Sequence, residues 1–210
     1  MWPIHTTPIG RIVTPPFVPD GFSLFYTTRD FPGRFTPELI AMTGTPLASC
    51  DQVHGANVVK APATDACDAL WSDEKGALAI KVADCLPVTF IDPAQHVIAN
   101  VHSGWRGAAQ NIVAKTLDAA PLSTDAIAYL GPSIRVCCFE VGEEVASQFG
   151  PEYVDRSYAK PHVDLVAFTI DALRGLRVYD SGLCTRCDDS IFHSYRRDKS
   201  GGRNLAIVTQ

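Results

Sequence analysis

Three short stretches carry side chains of metal-ligating type, two of them where buried strands give way to loops. His54 lies in "QVHGAN", between a polar turn and a strand; Cys85 closes an apolar strand in "VADC"; His102 ends another strand in "NVHSG". Loops held by rigid strands commonly carry functional groups. If the three side chains converge, they make a His2Cys set. Neutral imidazole and thiolate suit zinc at roughly 2.0 to 2.3 Å, and three protein ligands leave a fourth position open, the arrangement of catalytic sites. The spacing alone does not bring them together. A single such histidine is ordinarily a hydrogen-bonded loop or core residue, and a cysteine in an apolar strand ordinarily packs.

Other stretches offer weaker chemistry. "NVHSGWRGAA" (100–109) runs from a strand into a helix through two glycines. Such a corner presents backbone N–H groups from Gly104 to Ala108 near a helix start, which attracts anions. Arg106 adds a cation there, and a structural role fits it equally well. "CTRC" (184–187) has the C-x-x-C form of a redox pair or half a zinc site. No second C-x-x-C or His pair follows it, and it opens no thioredoxin-like helix, so it reads as structural. Cys137 and Cys138 are adjacent, and in an extended chain they point apart, which buries one of them. "HSYRRD" (193–198) gathers basic and aromatic groups, as an anion site or a solvated turn.

The whole chain narrows the field. Its 210 residues suit one domain with ample core. Hydrophobic residues make up 46% and charged residues 20%, ordinary values for a globular protein. A net charge of -5 gives no global signature for nucleic acid or an anionic membrane. No apolar run is long enough to span a bilayer. The opening "MWPIHTTPIG" lacks a secretory pattern. With seven cysteines, an odd count, this argues against a disulfide framework. The expectation is a cytoplasmic protein with mostly reduced, buried thiols.

The elements that must position these residues are mixed. The first twenty residues, rich in Pro and Thr, are expected to be irregular. "FSLFYTTR" (22–29), "ANVVKAP", "GALAIKVADC" (76–85), "HVIANVHS" (96–103), "AIAYLG", "RVYDSG" and "RNLAIVTQ" read as strands. Pro87 requires a break near Cys85 or a new segment at "PVTFID". "PELIAMTG", "AAQNIVAKTLDAA", "EVGEEVASQFG" and "DLVAFTIDALRG" read as helices, the first stopped by Gly44 and the last capped by Asp164.

In order along the chain stand "DQVHGANVV", "VADCLPVTFIDP", "VHSGWRGAA", "YLGPSI", "CFEVGEEV" and "FHSYRRD…GRNLAIV". This set resembles the polyphenol oxidase or laccase-domain family, also described as zinc-dependent, multifunctional purine nucleoside phosphorylases. The resemblance runs from about Cys50 to the C-terminus. It implies a single α/β (α+β) domain over residues 1–210, with mixed sheets flanked by helices, similar to a cysteine-hydrolase-like fold. It implies that His54, Cys85 and His102 hold one zinc ion, copper being disfavoured, with Cys85 a catalytic group as well. The implied activity is phosphorolysis of adenosine, inosine, guanosine and methylthioadenosine, with deamination of adenosine at the same site. The implied partners are a purine nucleoside and phosphate, not nucleic acid or membrane, for a monomer or small homo-oligomer. The sequence departs from the family pattern in a compressed "TTRDFPGRFTPELIAM", in Ser103 where Ala is more usual, and in Gly201 where Thr often stands.

Phosphorolysis needs an anion site, stabilisation of the departing purine, and positioning. Arg29, Arg106 and Arg196 are the cationic candidates. Deamination at C6 of adenine needs a metal-activated water and a carboxyl group to shuttle the proton. Asp84 and Glu140 are candidates, although in an extended strand Asp84 points away from Cys85 and reads as structural. Three rivals stand beside this reading. A multicopper oxidase needs a further histidine-rich cluster, and the chain has only six histidines. A cysteine hydrolase would use Cys85 as nucleophile and His102 as base. A zinc-stabilised interaction domain would show no turnover.

Overall fold

The computed structural model describes residues 2–62, 65–173 and 175–210. A hairpin opens the chain: β1 (Ile4–Thr7) pairs antiparallel with β2 (Gly10–Val13). This corrects the irregular segment expected over residues 1–20. Pro3 and Pro8 fall outside both strands, so the β-branched residues between them are free to pair. The chain then forms β3 (Ser23–Thr27) and α1 (Pro37–Thr43), which Thr36 caps by accepting from Leu39 N and Gly44 closes at φ 63°. β4 (Leu47–Ala48), β5 (Val58–Lys60) and β6 (Ala69–Ser72) are short.

The centre is β7 (Ala77–Val82), β8 (Leu86–Asp92) and β9 (Val97–Ser103). The strand expected to reach Cys85 therefore stops at Val82, and Cys85 sits in the turn beyond it. Pro87 is tolerated near the start of β8. It lies opposite His102 of β9, and pairing on its other side begins only at Val88. The single helix expected after Gly107 is broken into α2 (Trp105–Ala109) and α3 (Ile112–Ala119). Asn111 between them adopts φ 60°, a conformation that Asn accepts more readily than most residues.

β10 (Ile127–Leu130) follows, then α4 (Glu143–Ala146), only one turn of the expected helix. A 3-10 turn over Pro151–Tyr153 leads to β11 (Val154–Asp155) and β12 (His162–Val163). In α5 (Leu165–Ala172), Asp164 accepts from Val166 and Ala167 N. Val166 and Leu173 are buried, whereas Ile170 is exposed. β13 (Arg177–Asp180), α6 (Tyr195–Asp198) and β14 (Asn204–Thr209) complete the chain.

Two mixed six-stranded sheets carry the architecture, in the orders β1-β2-β3-β14-β7-β4 and β13-β10-β8-β9-β6-β5. β11 and β12 form a separate pair. The sheets pack face to face. Leu24, Tyr26, Leu78, Ile80, Ala206 and Val208 of the first meet Leu70, Ile91, Ile98, Ile127 and Tyr129 of the second. The outer face of the second sheet packs on Ile112 and Val113 of α3 and Val166 of α5. Leu39 of α1 and Phe31 cover Phe25, Ala79, Leu205 and Ile207 on the outer face of the first. Alternate residues of β14 thus enter different cores, which is why "NLAIVT" is apolar almost throughout. Each such Leu or Ile contributes about 1.5 to 3 kcal/mol on burial. The result is the mixed α+β fold with helices outside the sheets.

Candidate metal centre and its cavity

The three motifs meet. The donor atoms of His54, Cys85 and His102 all lie within 4.8 Å of one another. The two imidazole rings have centroids 4.7 Å apart and stand at 83° to each other. Pairing of β8 with β9 sets Pro87 opposite His102, so the turn before β8 delivers Cys85 to the end of β9. Gly104 leaves the room: a Cβ there would stand 3.1 Å from Cys85 Sγ and 3.6 Å from His54 Cδ2.

Asp68 holds the two histidines in place. Its Oδ1 lies 2.7 Å from His102 Nδ1, and its backbone carbonyl accepts from His102 N at 2.7 Å. The same carboxylate accepts from His54 N at 3.0 Å and Gly55 N at 2.6 Å. These bonds hold the His54 loop, where His54 itself takes φ 60°. With Nδ1 bound to Asp68, His102 turns Nε2 to the centre, the carboxylate–histidine arrangement common behind metal ligands. Burial pushes the Asp68 carboxyl up, but hydrogen bonds from His102, Gly55 and His54 carry it below its ordinary value. Burial likewise raises Cys85, yet the facing His102 and His54 bring its thiol down to about 7. For His102, burial lowers the value while Asp68 and Cys85 raise it to about 9. Sequence reasoning missed Asp68. The available signal was an acidic residue inserted between Cys67 and the apolar run that opens β6.

The trio lies in the wall of a cavity of about 630 Å³. That size suits a small organic ligand. Arg106, Arg196, Arg203 and Lys81 line it, as do Trp105, Phe139 and Tyr195. Two of the three expected arginines are therefore present. Arg29 is not among the lining residues; it is exposed and donates to the Asp189 carbonyl. Arg203 and Lys81 were not anticipated. Arg196 donates through Nη1 to the Glu140 carbonyl at 2.7 Å and lies over Phe139. Arg197 pairs with Asp198 and donates to the Thr185 and Phe192 carbonyls, so it fixes the turn. "HSYRRD" thus splits between a cavity cation and a structural one.

Asp84 also lines the cavity. It is not extended but takes φ 86°, and its carboxylate accepts from Thr185 Oγ1 at 2.7 Å and Arg196 N at 2.6 Å. These bonds support its structural reading. Glu140 pairs with Lys160 and is not a lining residue. The anion-attracting helix start expected at Gly104 is weakened, because α2 has only five residues and sums few peptide dipoles. Cys50, also on the cavity wall, is joined to Cys67 as a disulfide. For this pair the expectation of reduced thiols is corrected: the chain returns beside Cys50 just before β6, a proximity no spacing announces. The other five cysteines are free.

Fold and site together define an α+β domain with a His2Cys group that could hold a metal ion, opening onto a basic, aromatic-lined cavity. The chain belongs to the multi-copper polyphenol oxidoreductase laccase family, whose model matches residues 34–210. It is 36% identical over 173 residues to a Pseudomonas aeruginosa protein named purine nucleoside phosphorylase, covering 75% of this chain and 72% of that one. It is 32% identical to purine nucleoside phosphorylase YfiH of Shigella flexneri, over 99% of this chain and 96% of the relative. A solved structure from Neisseria meningitidis superposes with a TM-score of 0.83 at 29% identity, covering 94% of this chain and 98% of that one. A Bacillus licheniformis structure shares the fold, with a TM-score of 0.84 at 21% identity over 99% and 98% of the two chains. No helix among the described residues is long and apolar enough to cross a membrane.

Proposed function

We propose that this chain is a zinc-dependent purine nucleoside phosphorylase. It takes adenosine, inosine, guanosine or methylthioadenosine with phosphate, and deaminates adenosine at the same site. The observation that carries the reading is the convergence of His54, Cys85 and His102 in a cavity that also holds four cations and three aromatic rings. The names of the relatives support it.

The donor set fits zinc: two imidazoles and one thiolate, with a carboxylate behind one imidazole. Bound there, zinc supplies a Lewis acid and lowers the pKa of water. The chain's own residues do the rest. Trp105, Phe139 and Tyr195 offer apolar faces to a purine. Arg106, Arg196, Arg203 and Lys81 offer charge to phosphate as its oxygen attacks C1′ and the bond from C1′ to N9 breaks. Their positions around one cavity make the encounter effectively intramolecular.

Copper oxidase chemistry is disfavoured by the ligands. Among the described residues only two groups of three or more ligating side chains converge, and the second contains no histidine. His5, His96, His162 and His193 are engaged elsewhere, with Thr14, Phe22, Tyr158 and Phe31 respectively. One observation favours the hydrolase alternative: Cys85, His102 and Asp68 follow the order of a nucleophile, base and orienting acid. That triad leaves His54 without a role, whereas zinc employs all three ligands.

The test is metal analysis of purified protein, with chromatography of adenosine incubated with and without phosphate. Adenine released only with phosphate, together with some inosine, is the expected result. Neither product from zinc-loaded protein sinks the nucleoside reading. Cleavage of short amides by chelated protein replaces it with the hydrolase.

A further inference from the structure

We propose that Cys137, Cys138, Cys184 and Cys187 form a second, structural metal site that holds one zinc ion as a closed four-thiolate centre. All four sulfurs lie within 4.8 Å of one another. The sulfur–sulfur separations include 3.7 Å for Cys137 to Cys138, 3.9 Å for Cys137 to Cys184, 3.9 Å for Cys137 to Cys187 and 3.4 Å for Cys138 to Cys187. Four sulfurs about 2.3 Å from a tetrahedral zinc are separated by about 3.8 Å, so the cluster already has nearly the dimensions of a filled site. The separations are far too long for disulfide bonds, which need about 2.05 Å.

The backbone explains how four thiols come so close. Cys137 and Cys138 are turned, not extended as their adjacency suggests. They lie in a turn in which the Arg135 carbonyl accepts from both Cys138 N and Phe139 N at 2.8 Å. Both sulfurs therefore face one point. "CTRC" is itself wound into a turn, with the Cys184 carbonyl accepting from Asp188 N at 2.9 Å. The two turns are tied by a bridge between Ser133 and Cys184 and by Arg135 Nε donating to the Leu183 carbonyl. The missing half of the C-x-x-C site is thus the adjacent Cys pair, contributed from 46 residues or more upstream on another loop.

Arg186 places a cation near Cys138, beside a centre whose four thiolates would outweigh the metal charge. Four protein ligands leave no open position, which makes the site structural, unlike the three-ligand centre. Its consequence is still felt in the cavity. One turn lies between Ile134 and Phe139, both lining residues, and the other includes Thr185, which holds Asp84 beside Cys85. Zinc here would pin two loops of the cavity wall to each other.

The test is cysteine alkylation of the intact wild-type chain under reducing conditions, with zinc supplied or chelated, resolved residue by residue by mass spectrometry. Cys137 and Cys187 are exposed, so they report without unfolding. Zinc is expected to slow their labelling roughly tenfold or more, because ligated thiolates are withheld from the reagent. Equal labelling in the two states overturns the second site. Cys85 reports the first centre in the same experiment, so the two failures are distinguishable. Metal content gives an independent reading: about two equivalents of zinc in wild type, and about one in either Cys187→Ser or Cys85→Ala. A Cys187→Ser chain that keeps the full wild-type zinc content overturns the proposal. If Cys187→Ser fails to fold, cobalt loaded into wild type decides. Thiolate-to-cobalt absorption attributable to four sulfurs supports the site, and absorption attributable to one sulfur alone overturns it.

Discussion

Asp68 shows how one buried side chain sets the geometry of a centre it does not itself ligate. It fixes the ring of His102, holds the backbone of His54 and Gly55, and does so with no exposure of its own. Replacing it with alanine removes the acceptor for all three groups at once. For the proposed zinc site, Asp68→Ala is expected to weaken metal binding by about 10- to 100-fold, the usual scale for a lost partner of a ligating histidine. Competition with a chromophoric chelator measures the change. Unchanged affinity in a folded Asp68→Ala protein would show that the histidines are oriented by other means. Asp68→Asn is expected to lose less, because its carbonyl oxygen still accepts a hydrogen bond.

At the scale of elements, turns and strand ends govern the site. Asp92 closes β8, accepting from Ala94 N and Gln95 N in the turn to β9 and from Ser123 N beyond α3. Burial pushes its carboxyl up, but these donors, Ser123 foremost, carry it below its ordinary value. A depressed folded pKa stabilises the protein above the unfolded value of about 3.9, and that stability is lost as pH falls towards the folded value. Asp92→Asn should therefore cost about 1 to 2 kcal/mol at neutral pH, with the gap to wild type narrowing below about pH 4. Urea midpoints at the two pH values check the sign. Gly107 in α2 is a steric hinge of the same kind, since a Cβ there would fall 2.7 Å from the Gly55 carbonyl oxygen. Gly107→Ala should push α2 off the His54 loop, lowering stability by about 1 to 3 kcal/mol and weakening metal binding at the proposed site. Gly201→Ala, where an added Cβ meets nothing within 4 Å, is the control expected to leave the midpoint unchanged. These elements also mark what was legible in the sequence. β7, β9 and β14 showed themselves as β-branched or apolar runs, and α5 through its Asp164 cap. The hairpin of β1 and β2 was obscured by its flanking prolines, and the break at Asn111 by a helical pattern that ran through it. The three ligand motifs were visible singly, but their meeting depends on the pairing of Pro87 with His102, which spacing does not encode. The four-cysteine cluster is hidden because the turn that aims both adjacent sulfurs at one point is closed by the Arg135 carbonyl, a backbone bond with no sequence signature.

Across the whole molecule, a short polar chain stitches the two sheets through the centre of their shared apolar core. Asn100 of β9 is fully buried, and its Nδ2 donates to the Leu78 carbonyl at 3.2 Å and the Ala206 carbonyl at 2.9 Å, both on the opposite sheet. Its Oδ1 accepts from Thr89 Oγ1 at 3.1 Å, and Thr89 in turn lies 3.5 Å from the Tyr26 hydroxyl of the first sheet. Face-to-face sheets packed only by apolar side chains can slide with modest loss; bonds to defined carbonyls fix their offset. That offset matters because His102 follows two residues later on β9, whereas Arg203, on the same cavity wall, directly precedes β14. Asn100→Ala is expected to leave two carbonyls and a hydroxyl short of partners and to open a small cavity, a loss of about 3 kcal/mol. Asn100→Asp, which keeps the volume but introduces a buried charge facing carbonyl oxygens, should do at least as much harm. Urea unfolding gives the midpoints. An unchanged slope with a lower midpoint places the loss in the native state rather than in a more compact unfolded one. An unfolding free energy within about 0.5 kcal/mol of wild type for Asn100→Ala would mean that apolar packing alone sets the alignment of the sheets.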